Sequence, residues 1–214
     1  MSQIELSPDK RTLLGTVQSL SPNHSRAFTP RFVTLHYTAG PSLERAVTRF
    51  LDPKSQVSAH FVIGHDGEAV QCVPLDCAAW HAGQSFWKPA QGAGRLLGLK
   101  GLNRFSFGIE MVNAGPLRKS HGGALHTWWG QQVDPDAAIA VDPQEPGSFG
   151  RPYWARYSGA QIDKAIEIVQ LLTRSFPIEE ILGHSDICPG RKQDPGPAFP
   201  MSHIRAIMHG RNMC

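Results

Sequence analysis

Apolar positions along the chain change period several times, and each change marks an element. Residues 31–37 (RFVTLHY) are rich in β-branched and aromatic side chains and predict a strand. Leu43, Ala46, Val47 and Phe50 then recur at helical spacing behind Ser42, a candidate N-cap, and Asp52-Pro53 closes that helix. Residues 58–73 predict a hairpin: SAHFVIG, a turn at His65-Asp66-Gly67, then EAVQCV. Asn103 to Asn113 (NRFSFGIEMVN) reads as the next strand. Ser158 and Gln161 form a candidate capping box for a helix with Ile162, Ala165, Ile166, Val169 and Leu172 as its buried stripe, stopped by Pro177. Residues 179–199 predict a short strand end and then a rigid loop. A last amphipathic helix starts near Met201, with Ile204, Ile207 and Met208 inward.

Two stretches lack such order. The first 30 or so residues hold no sustained period and are expected to wrap the surface. Residues 114–157 are dense in Gly, Pro, Trp and His and read as an extended loop or insertion near a functional face. There is no internal repeat and no sign of a second domain. Strands and helices interleave, which predicts one α/β domain over residues 1–214, with a central mixed β-sheet flanked by helices.

Composition narrows the function classes. The 214 residues carry a net charge of +3 with the Lys and Arg scattered, which gives no clustered footprint for nucleic acid. No apolar stretch reaches membrane-spanning length, and the N-terminal MSQIELSPDKR has no apolar signal region, so a cytoplasmic location is expected, with release by lysis or a dedicated exporter also compatible. Cys72, Cys77, Cys188 and Cys214 form no C-x-x-C pair and are read as free thiols. Gly92-Ala93-Gly94 with Gly98 fits neither a dinucleotide nor a P-loop pattern, and G-x-S-x-G and H-E-x-x-H are both absent.

The chemistry concentrates in residues 183–199, GHSDICPGRKQDPGPAF. His184 and Asp194 are good zinc ligands, and Pro189-Gly190 can turn the chain between them. Pro195 and Pro197 stiffen the segment around the carboxylate. In an extended stretch Lys192 projects to the same side as Asp194, where a cation suits a developing oxyanion; alone it would read as a surface lysine. His36 shares a strand face with Phe32 and Thr34 and becomes a third ligand only because the site needs one. Two imidazoles and one carboxylate leave a coordination position open, the pattern of a hydrolytic site. In the 103–113 strand, Phe105, Phe107, Ile109 and Met111 share one face and Glu110 falls on the other with Ser106 and Gly108. A carboxyl there is costly to bury unpartnered, and a raised pKa suits a general base; a structural salt bridge is the alternative.

Together these residues resemble the zinc-dependent N-acetylmuramoyl-L-alanine amidases, the type 2 amidase and peptidoglycan-recognition fold. The matching stretches are LHYTAG at 35–40, VSAHFVIGHDGEAVQCVP at 57–74, AAWHAG at 78–83, FGIE at 107–110 and the 183–199 segment, nearest to the branch acting on cytosolic muropeptides. The resemblance implies hydrolysis of the amide between N-acetylmuramic acid, or its 1,6-anhydro form, and L-alanine of the stem peptide. It implies one Zn2+ held by His36, His184 and Asp194 at one edge of the sheet, Glu110 as general base and Lys192 as oxyanion partner. Trp80, His81, Tyr37 and Asn113 are the implied substrate-binding residues, and peptidoglycan fragments or muropeptides the partners. Some relatives carry Cys where Asp194 stands, and others a catalytic Tyr where Ala59 stands, so that role has no counterpart here. A wall-binding module without activity and a lytic endolysin are the competing readings.

The remaining candidates read as structural. His60 is expected to be structural or to support the ligands, and His65 to sit in the hairpin turn. Gly122-Gly123 between His121 and His126 argues for loop rather than a second metal site. Trp128-Trp129 is read as packing the insertion onto its own domain, and Cys188 as a small buried residue.

Overall fold

The computed structural model describes residues 4–88, 98–145 and 147–209. Six strands form its central sheet: β1 (Val17–Gln18), β2 (Phe32–Tyr37), β3 (Phe61–Ile63), β4 (Ala69–Gln71), β5 (Ser106–Met111) and β6 (Glu180–Gly183). Their order is β6-β2-β5-β3-β4-β1, with β6, β2, β5 and β3 mutually parallel and β4 antiparallel to β3. The sheet is therefore mixed, as the interleaved pattern predicts. The helices are α1 (Leu43–Leu51), α2 (Gly159–Ser175), α3 (His184–Ile187) and α4 (Met201–His209).

Strand alternation divides the sheet into two faces of different character. Val33 and Leu35 of β2 and Phe107, Ile109 and Met111 of β5 pack with Ala165, Ile168, Val169 and Leu172 of α2 in the largest core. The α2 stripe is centred slightly off the expected one: Ile168 is buried, while Ile162 and Ile166 only border the core. The Ser158–Gln161 capping box is present, and the buried Gln161 amide donates to the Val112 carbonyl at 2.8 Å. On the opposite face α1 covers Val62, Val70 and Val112 with Leu43, Ala46 and Val47. Phe32, Leu182, Ile187 and Cys188 form a second patch beyond it. Between these two patches the face stays polar, and there the functional side chains stand.

Three expectations are corrected. The N-terminal segment does more than wrap the surface, since Val17–Gln18 pairs with β4 and forms an edge of the main sheet. Residues 114–157 are not structureless: Arg118–Lys119, Leu125–His126 and Gln132–Val133 make a three-stranded antiparallel sheet, and Ala138–Ala140 pairs with Tyr153–Ala155. These strands are two or three residues long, too short to produce a visible period in sequence. The rigid loop after β6 also begins as the one-turn helix α3.

The insertion buttresses the segment that carries Asp194. Trp154, fully buried, lies against Gly196, where a Cβ would come within 2.6 Å of its ring and where φ is +76°. The Tyr157 hydroxyl donates to the Pro195 carbonyl at 2.8 Å. Among the described residues no helix is long and apolar enough to cross a membrane. Cys72, Cys77 and Cys188 are buried free thiols, whereas Cys214 and the Gly92-Ala93-Gly94 stretch lie outside the described residues.

Candidate metal centre and catalytic cavity

Parallel pairing brings the site together at the carboxyl ends of three strands. His36 is the fifth residue of β2, and Glu110 stands opposite it in register on β5, so both side chains share one face. Gly183, the last residue of β6, pairs with Leu35, which delivers His184 beside His36. Asp194 reaches the same point from the following loop, tied down by a hydrogen bond from the Ser185 N–H to its carbonyl at 2.9 Å. The site thus begins at the β6 edge of the sheet and extends inward to the third strand.

His36 Nδ1, His184 Nδ1 and Asp194 Oδ2 form a triangle with sides of 2.9 Å. All three residues are buried. The other nitrogens of the two rings have partners: His184 Nε2 donates to the Ala82 carbonyl at 3.3 Å, and His36 Nε2 lies 2.9 Å from His81 Nδ1. With the hydrogen of each ring on Nε2, both imidazoles turn a lone pair toward the triangle, as a metal ligand requires. Burial keeps His36 neutral at ordinary pH by lowering its pKa to about 4. Three acceptors facing one point call for a cation, and one ion can lie about 2 Å from all of them. The donor set fits a divalent metal.

Glu110 stands beside this triangle and has no ion-pair partner among the described residues. Among the described residues, the buried side-chain oxygens lacking a hydrogen-bond partner are Glu110 Oε2 and Thr34 Oγ1, both on the site face. Burial and the Asp194 charge push the Glu110 carboxyl up to about 8, with Lys192 pulling the other way. Glu110, Asp194, His184 and Lys192 line one cavity of about 1100 Å³. Tyr37 and Trp80 form part of its wall, and α1 contributes Glu44, Arg45, Thr48 and Arg49.

Residues 26–197 match the family described as N-acetylmuramoyl-L-alanine amidase. The chain belongs to that family. This amidase is 32% identical over 181 residues to the 1,6-anhydro-N-acetylmuramyl-L-alanine amidase AmpD of Enterobacter cloacae, spanning 79% of this chain and 72% of the relative. It is 30% identical over 183 residues to the N-acetylmuramoyl-L-alanine amidase AmiD of Escherichia coli, spanning 81% of this chain and 51% of AmiD. Among solved structures, a selenomethionine AmpD derivative superposes with a TM-score of 0.59 at 26% identity, covering 92% of this chain and 96% of that one. AmiD from E. coli in complex with anhydro-N-acetylmuramic acid-L-Ala-D-γ-Glu-L-Lys gives 0.59 at 25% identity, covering 96% and 66%.

In this amidase the expected substrate-binding residues divide into two kinds. Tyr37 and Trp80 are half-buried in the cavity wall, as a substrate contact requires. His81 borders the cavity, but both its ring nitrogens have partners inside the protein, His36 and the Ser106 carbonyl. Asn113 is corrected. It is buried, its amide N–H groups donate to the Ala155 and Arg156 carbonyls, and its oxygen accepts from the Gly115 N–H at 2.7 Å. That side chain anchors the insertion, with both its N–H groups engaged inside the protein. His60 is structural as expected, donating to the Cys77 carbonyl and accepting from the Gly108 N–H.

Sequence reasoning missed Arg45 and Arg49, which line the cavity without an ion-pair partner among the described residues. Their i, i+4 spacing on the polar face of α1 was the available signal. Trp128 and Trp129 pack edge-to-face, and the Trp128 indole N–H donates to the Ala39 carbonyl at 2.8 Å. The insertion is thereby fastened to the segment that follows His36.

Proposed function

We propose that this amidase hydrolyses the amide joining the lactyl group of N-acetylmuramic acid, or of its 1,6-anhydro form, to the L-alanine of the peptidoglycan stem peptide. Its metal is Zn2+, one per chain, held by His36, His184 and Asp194. The observation that carries this reading is the triangle of His36 Nδ1, His184 Nδ1 and Asp194 Oδ2 beside a buried, unpartnered Glu110 oxygen, with His184, Asp194 and Glu110 lining one cavity. Soluble muropeptides are the proposed substrates, in keeping with the printed names of the AmpD relatives.

Zn2+ in this setting supplies Lewis-acid polarisation of the scissile carbonyl and makes water more acidic. Glu110 takes a proton from the attacking water and returns it to the departing alanine nitrogen. A carboxyl whose pKa is raised by burial is suited to both transfers. Lys192, on the same cavity wall, places its ammonium where negative charge develops on the carbonyl oxygen. Arg45 and Arg49 face a stem peptide that carries carboxylates.

The test is Glu110→Gln. The variant is expected to bind Zn2+ stoichiometrically while release of stem peptide from anhydro-muropeptides, followed by mass spectrometry, falls by at least about 100-fold. Turnover retained by that variant contradicts the role. Cleavage of intact sacculi in preference to soluble fragments would move the substrate assignment to the wall polymer.

A further inference from the structure

We propose that His81 is a positioning residue for the metal centre: it fixes the tautomer of His36, so that Nδ1 of His36 presents a lone pair to the ion. The inference rests on the metal assignment above and concerns a residue outside the ligand set.

The argument follows donors and acceptors along one line of buried groups. The Ser106 hydroxyl donates to the Leu102 carbonyl at 2.9 Å, so its proton points away from His81. His81 Nε2 lies 3.0 Å from the Ser106 carbonyl oxygen and 3.3 Å from the Ser106 hydroxyl oxygen. A carbonyl oxygen can only accept, so His81 Nε2 carries the hydrogen. In the neutral ring Nδ1 is then an acceptor, and it lies 2.9 Å from His36 Nε2. His36 therefore donates from Nε2, and its Nδ1, 2.9 Å from both His184 Nδ1 and Asp194 Oδ2, is left with a free lone pair. The orientation of every hydrogen follows from two backbone carbonyls, neither of which can reverse its role.

The fold holds His81 in this position from several sides. Asn103 Oδ1 accepts from the backbone N–H of both His81 and Ala82, at 3.1 and 2.7 Å. The ring lies over Gly108, where a Cβ would approach its Cγ to 2.5 Å. Gly108 sits in the regular β5 strand, so glycine serves there by making room for the imidazole. The His36 and His81 rings meet edge to face at 78°, which aims one nitrogen at the other. A histidine ligand commonly donates its second N–H to a carboxylate, carbonyl or water. An imidazole partner brings no additional charge into the buried site.

Two measurements test this without using catalysis. In metal-free wild-type protein labelled with 15N-histidine, long-range 1H–15N correlation spectra are expected to show His36 and His81 both protonated at Nε2. A proton on His36 Nδ1 overturns the proposal whatever the variants do. The second is Zn2+ affinity by competition with a chromogenic chelator. His81→Phe fills the space without an acceptor and is expected to weaken binding about 10–100-fold. His81→Asn, which returns an oxygen near the Nδ1 position, is expected to recover most of that loss. Wild-type affinity in folded His81→Phe, or equal losses in both variants, rejects the positioning role. Because neither readout involves a muropeptide, failure of the substrate assignment would leave both results standing.

Discussion

Glu110 and the two arginines of α1 illustrate how single side chains depart from their ordinary behaviour here. The Glu110 carboxyl titrates near 8 in the folded metal-free chain against 4.5 ordinarily. Below about pH 4.5 both folded and unfolded states hold the proton, and the group costs nothing. As pH rises the unfolded chain ionises first, so the folded state is progressively disfavoured until about pH 8 and by a constant amount above it. Glu110→Gln in metal-free protein is therefore expected to match wild type at pH 4 and to be more stable at pH 9, by on the order of a few kcal/mol. Thermal melts at the two values check this. Replacing Arg45 and Arg49 together by Ala is expected to raise KM several-fold for a stem peptide with free carboxylates and to leave kcat unchanged. A muropeptide amidated at those carboxylates should show little change.

At the scale of elements, much was legible and the gaps have physical causes. Helix α1 ends where Ser42 and Asp52-Pro53 indicate, α2 begins on its capping box, and the hairpin turns at Asp66-Gly67. Period and cap chemistry are local, so sequence carries them. Pairing across the chain is not local. Nothing near Val17 announces that it joins β4, and nothing near His81 reveals that its ring is engaged 45 residues away on His36. Glu110 and His36 were each found by alternation, yet their direct opposition is a property of sheet register alone. Asn113 was misread for the same reason, since the two carbonyls it donates to lie more than 40 residues downstream. Asn113→Ala leaves two carbonyls and an N–H unsatisfied and is expected to cost about 2–3 kcal/mol of stability. Chemical denaturation measures that loss. Steady-state kinetics on the folded fraction should show KM for the muropeptide unmoved, which separates an anchor from a substrate contact.

For the molecule as a whole, the metal triangle is a standing electrostatic demand, because three buried acceptors face one another at 2.9 Å. An ion that binds only the folded chain stabilises it by about 4 kcal/mol at a thousandfold excess over its Kd. For a domain of this size that corresponds to roughly 10 °C. Chelation is expected to lower Tm by this order, and added Zn2+ to restore it; a Tm indifferent to both would mean the triangle holds no metal. The sheet order adds a consequence in time. His36 is made first of the three, its fellow ligands come from residues 184 and 194, and β6 fills the position beside β2. A chain still growing on the ribosome thus holds His36 without either fellow ligand until residue 184 has been made. Metal loading, and with it any power to cut, waits until residue 194 has emerged, 158 residues after His36.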